Sequence, residues 1–488
     1  MRNDTERLAV LNIVGLTRAL IARFPNELSF INAYCTEAVD IEPQTPGLTC
    51  SAQTTYLTGK TVSEHGIVGN GWYFKDLNEV LLWRQSNSLV QAPSVWQELK
   101  TVQPNCKVAN TFWWYAMNTT ADITLTPRPL YLADGRKIPD CYSNPLALRH
   151  KLTEQLGPFP LFHFWGPMTS IKSSQWIADA ALYIDRTERP QLQLIYLPHL
   201  DYCLQKFGND SKKLKQDLVE IDKLVKHLVD SLAANGTNSL LLSEYGVTNV
   251  QRPIYPNRLL REQGLLGIKV DLGLENLDYA SSQAFAVADH QIAHVYVKDA
   301  SLLPSLKQAF SSLAGVARVL DRAEQSAYGL SHARSGDLLL ISEPDAWFAY
   351  YFWQDDNKAP DYARTVDIHR KPGYDPCEMF FDRGLRAPKL AAGMKLLKKK
   401  LGFRTVMNLI SLDPSMVRGS HGAMPSLTKD PSADMYPFIG GKHVSKYVER
   451  YMTGDSCKAT QARQSSQELR LNACHVFNVI KDMTLNTV

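Results

Sequence analysis

The sequence has no C-x-x-C pair, no long apolar run, no internal repeat and little excess of either charge, and each shortage excludes a class of protein. Its eight cysteines, Cys35, Cys50, Cys106, Cys141, Cys203, Cys377, Cys457 and Cys474, are scattered singly. Without paired spacing they build neither a zinc finger nor a disulfide framework, and they suit a reducing compartment. The apolar stretch in MRNDTERLAVLNIVGL is soon interrupted by Arg18, too early for a secretory signal or a membrane span. The expectation is a soluble, cytoplasmic protein with no membrane span. A formal charge of +4 on 488 residues gives no electrostatic case for a nucleic acid duplex as partner. A 44% hydrophobic, 21% charged composition is that of an ordinary folded chain, long enough for one large core plus a second domain or sizeable insert.

What is present is alternation. The runs RLAVLNIVGL, EAVDIEP, KVANTFWW, QLQLIYLPH and NSLLLSEYG are nearly continuous apolar strands, a pattern of strands buried on both faces of a parallel sheet. Between the last two, SKKLKQDLVEIDKLVKHLVDSLAANG repeats apolar residues at helical spacing and stops at Asn-Gly, which predicts a crossover helix. From about residue 283 the rhythm changes to AFAVADHQIAHVYV, a helix PSLKQAFSSLAGV, then ARVL and GDLLLIS, the pattern of a small α+β module. The stretch from Trp353 to Asp382 is loop-like, and MKLLKKKLGFR is a basic amphipathic helix whose lysines read as a solvated face before a membrane anchor. The segment RQSSQELRLNACHVFNVIKDM predicts one more helix. The domain reading is residues 1–250 as the first part of an α/β core, 251–415 as an inserted α+β cap and loop region, 416–430 as a return to the core, and 431–488 as a C-terminal extension.

Candidate chemistry concentrates in TPGLTCSAQTTYLTGKTVSEHGIVGNGW, residues 45 to 72. Gly59-Lys60-Thr61 matches the end of a phosphate-binding loop, but the required first glycine is Thr54, and the motif follows its helix where it should precede it. A nucleoside triphosphate fold is therefore excluded. Thr49 follows Pro46 and Gly47 at a helix start, where backbone N–H groups and the helix dipole favour an anionic oxygen. A hydroxyl there is either a plain N-cap or a phosphate-directed nucleophile, and spacing alone favours the cap.

The whole stretch resembles the nucleophile segment of the type I phosphodiesterase / nucleotide pyrophosphatase family of the alkaline phosphatase superfamily, in a bacterial-type branch with divergent metal motifs. The matching residues are Thr49, Thr58-Gly59, His65-Gly66-Ile67 and Asn70. The resemblance implies an alkaline-phosphatase-like α/β/α sandwich with a mostly parallel sheet and an inserted smaller α+β cap. It implies that Thr49 attacks phosphorus, that Asn70 and the helix N-terminus hold nonbridging oxygens, and that His65 shapes the turn. It also implies two zinc ions, one activating the threonine alkoxide and both stabilising the transferring group.

Of the six other ligand positions implied, Asp201 in YLPHLDYCLQKFG and His421 in RGSHG match, and Glu244 in LLLSEYG is a conservative change. Val14, Gln205 and Tyr245 stand where the remaining ligands belong. Two readings follow. In the first the metal site is rebuilt from other donors: His199, Asp289, His290, His294, Asp367, His369 and Asp375, with Asn12 a weaker stand-in beside Val14. In the second the site holds one ion or none. The cofactor expected is zinc or another divalent transition metal, and the partner a small phosphorylated molecule. Trp72, Tyr73, Phe112, Trp113, Trp114, Tyr115, Phe164 and Trp165 suit a substrate wall or, for most of them, core packing. The function expected is metal-dependent hydrolysis of a phosphodiester or pyrophosphate bond through a threonine nucleophile. The alternatives are a weakly active or non-catalytic relative that binds a phosphorylated metabolite, or a phosphonate or phosphomonoester hydrolase.

Overall fold

The structure is a computed structural model that describes residues 7–133, 136–452 and 469–486. Cys457 and residues 463–468 of the last expected helix lie outside the described residues. The strands that matter for the site are β1 (Arg7–Ile13), β2 (Val39–Glu42), β3 (Val108–Thr111), β4 (Ile123–Pro127), β5 (Cys141–Asn144), β6 (Leu192–Leu197) and β7 (Thr237–Leu242). They are followed by β8 (Ala284–Asp289), β9 (Ile292–Val297), β10 (Val316–Leu320), β11 (Leu338–Ser342), β12 (Phe438–Gly441) and β13 (Leu471–Asn472). A nine-stranded sheet runs β13-β2-β12-β7-β1-β6-β3-β4-β5. Its centre is parallel: β1 pairs with both β6 and β7, and β6 continues to β3 and β4. The strands β5 and β12 run antiparallel to their neighbours. Every residue of β1 and β6 is buried, which accounts for their unbroken apolar character.

The principal helices are α1 (Thr49–Thr58), α2 (Lys172–Glu188), α3 (His199–Phe207), α4 (Lys215–Ala234), α5 (Leu303–Ser311), α6 (Pro388–Lys400) and α7 (Val476–Leu485). The α4 helix buries Leu218, Ile221, Leu224, Val225, Leu228, Val229 and Leu232, a stripe three and four residues apart. Each such side chain contributes roughly 1.5–3 kcal/mol by leaving water. It ends at Asn235, where Gly236 takes a positive φ of 77°. The α2 and α4 helices pack on each other and on β6 and β7, while α7 packs on α1 and β1.

Strands β8 to β11 form a separate antiparallel sheet in the order β8-β9-β11-β10, crossed by α5. The molecule is thus an α/β fold with a large, mostly parallel central sheet. Residues after 430, expected as an extension beyond the core, instead supply β12 and β13 to the main sheet and α7 to its cover. Polar flanking sequence hid the short apolar strand Phe438–Gly441, which is fully buried.

From Trp353 to Asp382 the chain forms no strand or α-helix, and a buried ion cluster anchors it. Lys371 is 1% exposed, with its Nζ 2.7 Å from Asp375 Oδ2 and 2.8 Å from Glu378 Oε1. Trp165 donates its indole N–H to the other Glu378 oxygen. Removing the cation leaves two carboxylates buried together, so Lys371→Met is predicted to cost roughly 3–5 kcal/mol. Denaturant unfolding of the variant beside the wild type measures this, and a loss under about 1 kcal/mol would show the cluster to be dispensable.

Candidate active site

The parallel strands β1, β6 and β7 all end at one edge of the sheet, where the following loops open outward. Val14 comes just after β1, Asp201 in the first turn of α3 after β6, and Glu244 and Tyr245 just after β7. The α1 helix starts beside them with Thr49 as its first residue, after Leu48 in extended conformation. Gly47 allows this close entry, because a Cβ there would lie 3.0 Å from the Tyr245 Cβ. The turn after α1 is held by His65, whose Nε2 lies 3.1 Å from the Thr55 hydroxyl and whose Nδ1 accepts from the Ile67 N–H.

Five of the residues singled out in the sequence meet here: Thr49, Asp201, Glu244, Tyr245 and His421. The Thr49 hydroxyl lies 3.2 Å from the Tyr245 hydroxyl and beside the Glu244 carboxyl. Asp201 Oδ1 stands 3.5 Å from His421 Nε2. His421 Nδ1 is 2.6 Å from the Gly47 carbonyl, a contact that requires Nδ1 to be the protonated nitrogen and leaves Nε2 with a bare lone pair. Burial pushes the His421 pKa down to about 3, so the ring is neutral. A lone pair on Nε2 therefore faces a carboxyl oxygen across 3.5 Å, an arrangement that calls for a cation or a proton between them.

Burial dominates the electrostatics. It pushes Asp201 up to about 7 against hydrogen bonds from Gln205 and Tyr245. It pushes Glu244 up to about 8, partly countered by Asn12, Gln53 and Thr49. It pushes Asp289 up to about 7, partly countered by Asn70. The residues at the altered positions are neutral hydrogen-bond donors or apolar. Gln205 Nε2 donates to Asp201 Oδ2 at 2.9 Å and is held in turn by the Tyr374 hydroxyl, also at 2.9 Å. Asn12 Nδ2 donates to Glu244 Oε2 at 2.8 Å.

Aromatic rings then fill the space. Tyr245 stacks on His421 at 3.6 Å between centroids and 7° between planes. His421 packs on His290 at 3.7 Å, and His290 on Tyr374 at 3.6 Å. Tyr245, at one end of this column of four rings, is the member that meets Thr49, which is 3% exposed.

Asn70 is near Thr49 but engaged: its Oδ1 accepts from the Cys50 N–H, while its own N–H and amide both donate to Asp289. His199 does not join the cluster. The strand ends at Leu197 and α3 begins at His199, so His199 and Asp201 are separated by about 200° around a helix axis where a continuing strand would have aligned them. His369 lies against the Leu82 carbonyl at 3.3 Å, and His294 bridges the Val68 carbonyl and the Gly336 N–H. Asp375 belongs to the Lys371 cluster, and the Asp367 N–H binds Glu378. Tyr374, Gln53 and Tyr196 complete the site without having been singled out for it. Asn12 carried a signal, a lone amide in a strand of otherwise apolar inward residues.

The donor set does not fit a pair of zinc ions. Asp201 Oδ1, His421 Nε2 and Glu244 Oε1 are buried and lack hydrogen-bond partners, yet they do not converge within one ion's reach. Asp201 and His421 are the pair that would hold a single divalent ion between them. Among the described residues, His199, Asp217 and Glu220 form the one group that brings three such ligand atoms within 4.8 Å of one another. His199 Nε2 is 3.1 Å from Asp217 Oδ1.

Asp201, Glu244 and Asp289 keep their protons to higher pH in the folded chain than in an unfolded one. These three groups make stability fall as pH rises from about 4 to 8, whereas the buried neutral imidazoles of His65, His290, His294 and His421 make it rise up to about pH 6.5. With divalent ions chelated, the melting temperature is therefore predicted to drop from about pH 7 to pH 8, with a shallower slope in Glu244→Gln. Identical slopes in the two proteins over that range would contradict the raised pKa of Glu244.

Comparison with known proteins bears on the family and the fold. The family model described as type I phosphodiesterase / nucleotide pyrophosphatase matches residues 8–375. Ectonucleotide pyrophosphatase/phosphodiesterase 1 of Saccharomyces cerevisiae is 24% identical over 291 residues, which is 55% of this chain and 33% of that protein. The match thus spans about a third of the yeast relative's length. Among solved structures, phosphonoacetate hydrolase from Sinorhizobium meliloti, in complex with phosphonoformate, aligns with a TM-score of 0.57 at 12% identity over 98% of this chain and 96% of that one. Murine ectonucleotide pyrophosphatase/phosphodiesterase 5, in complex with AMP, aligns at 0.55 and 12% identity over 99% and 96%. The alkaline phosphatase PafA aligns at 0.53 and 12% identity over 72% and 88%. At such identities the structures speak for the fold, and the family match speaks for the lineage: the chain belongs to the type I phosphodiesterase / nucleotide pyrophosphatase family, a family of hydrolases.

Proposed function

We propose that the protein hydrolyses a phosphodiester or pyrophosphate bond in a small phosphorylated molecule, with Thr49 as nucleophile. The observation that carries the proposal is the meeting of the Thr49 hydroxyl with Glu244 and Tyr245 at the N-terminus of α1, next to Asp201 and His421. In the first step the Thr49 oxygen bonds to phosphorus as the leaving-group oxygen departs, and the hydroxyl proton passes to Glu244. In the second step water attacks the phospho-threonine, the bond to Thr49 breaks, and the Thr49 oxygen regains a proton. The N-terminal end of α1 favours the charge that builds on the phosphoryl oxygens. A single zinc or other divalent ion held by Asp201 and His421 would neutralise part of that charge. Tyr245 has to rotate off His421 before a phosphoryl group can reach the hydroxyl. The buried free thiols of Cys35, Cys50, Cys106, Cys141, Cys203 and Cys377 support a cytoplasmic setting.

A second reading is favoured by the ring column itself. With Tyr245 flat on His421 and Thr49 almost sealed, the chain would bind a phosphorylated metabolite and turn it over weakly or not at all. Cleavage of a phosphonate or phosphomonoester bond is the remaining form of the hydrolase reading.

Chromogenic phosphodiesters and phosphomonoesters separate these readings. Under the nucleophile proposal Thr49→Ala loses turnover by several orders of magnitude with its melting temperature retained. Glu244→Gln lowers kcat roughly 10²–10⁴-fold. Because Glu244 must be ionised to take the proton, kcat/KM rises with pH through about 8. Full activity in Thr49→Ala would eliminate the nucleophile, and stabilisation by nucleotides without any turnover in the wild type would establish the binding role.

A further inference from the structure

The segment between Asp382 and Leu409 is an excursion with no buried residue from 382 to 408. Its neck is closed by a bridge between Phe381 and Ile410, by the Asp382 N–H on the Leu409 carbonyl, and by the Arg364–Asp382 ion pair. Within it, Lys395 folds back onto the Val406 carbonyl and Asn408, so the excursion is an ordered unit, and it buries no apolar face. The α6 helix has no buried residue at all. Leu390, Met394, Leu397 and Leu401 recur at intervals of four, three and four, which places them in one stripe along the helix. They are 64%, 55%, 57% and 66% exposed. Leu396, Phe403 and Val406 beside them are exposed as well.

The amphipathic pattern of the sequence suggests an apolar stripe docked on the core and lysines in solvent. The structure leaves both faces in solvent. Charge then identifies the occupant. From residue 383 to 412 there are eight basic residues, Arg383, Arg386, Lys389, Lys395, Lys398, Lys399, Lys400 and Arg404, and no aspartate or glutamate; Arg383, at its edge, pairs with Asp413 just beyond it. This block of +8 sits in a chain of net +4, so the remainder is net negative and the basic charge is local.

We infer that α6 and the Phe403 turn form a peripheral docking surface for an anionic lipid bilayer. The helix would lie in the plane of the headgroups, with the Leu390–Met394–Leu397–Leu401 stripe and Phe403 in the acyl boundary and the basic residues on lipid phosphates. A nucleic acid backbone would use the charge but leave the leucines uncovered, and a second copy of this chain would bring +8 against +8. No helix among the described residues is long and apolar enough to cross a membrane, so the contact is one of surface adsorption.

Co-sedimentation of the full chain with phosphatidylcholine vesicles, with and without phosphatidylglycerol, tests the inference. Binding is expected to vesicles containing phosphatidylglycerol and not to pure phosphatidylcholine. Replacing Lys398, Lys399 and Lys400 with glutamine should weaken it roughly 100-fold. The triple variant Leu390→Gln, Leu397→Gln, Leu401→Gln should weaken it at least tenfold, with an unchanged melting temperature because these side chains pack on nothing. Three results would overturn the inference: no binding to anionic vesicles, full binding by the leucine variant, or wild-type dimers that the leucine variant returns to monomers without any vesicle binding. Duplex DNA binding that survives the leucine changes, in place of vesicle binding, would equally reject it.

Discussion

Three carboxyl groups share one dry space at the strand ends, and the arrangement of the site follows from the need to hold them there. Asp201, Glu244 and Asp289 each resist ionisation because water is excluded. Each is met by an amide: Gln205 on Asp201, Asn12 on Glu244, and Asn70 on Asp289. An amide can donate a hydrogen bond but cannot cancel a charge. The cluster is therefore left with an appetite for protons or for a cation, and this appetite couples the chemistry of the site to its surroundings.

The substitutions at the expected ligand positions make sense together. Where the resemblance implies a carboxylate on β1 stands Val14, and Asn12, two residues earlier in the same strand, offers Glu244 a neutral partner. Where it implies imidazoles stand Gln205 and Tyr245, which stay uncharged at any physiological pH: Gln205 donates to Asp201 and Tyr245 stacks on His421. Buried carboxylates without a cation would leave charge unbalanced; protonated carboxyls beside amide donors restore the balance.

Much of the architecture could be read from the residues because the relevant patterns are local. Continuous apolar runs announced β1, β6 and β7, and the apolar spacing of residues 218 to 232 announced α4. Thr49 could be placed at a helix start from Pro46 and Gly47 alone. The ring column could not be foreseen, since its members come from positions 245, 290, 374 and 421 and meet only in space. His199 was misplaced relative to Asp201 for a simple geometric reason: the strand ends at Leu197, four residues short of Asp201, and the chain turns into a helix at His199. The strand at 438–441 escaped notice because four apolar or glycine residues in polar surroundings carry too little periodicity to be told from a loop.

The place of β12 in the sheet has one more consequence. The strand β2, which leads into α1 and Thr49, carries β13 on its outer side and, among the described residues, is joined to the centre of the main sheet through β12, which itself pairs with β7. Strands separated by almost four hundred residues must come together before the α1 helix has a fixed seat. During synthesis on the ribosome the parallel centre of the sheet can assemble early, but the hydroxyl at position 49 gains its final surroundings only after β12, and then α7, have emerged. Completion of these surroundings is therefore delayed until late in translation.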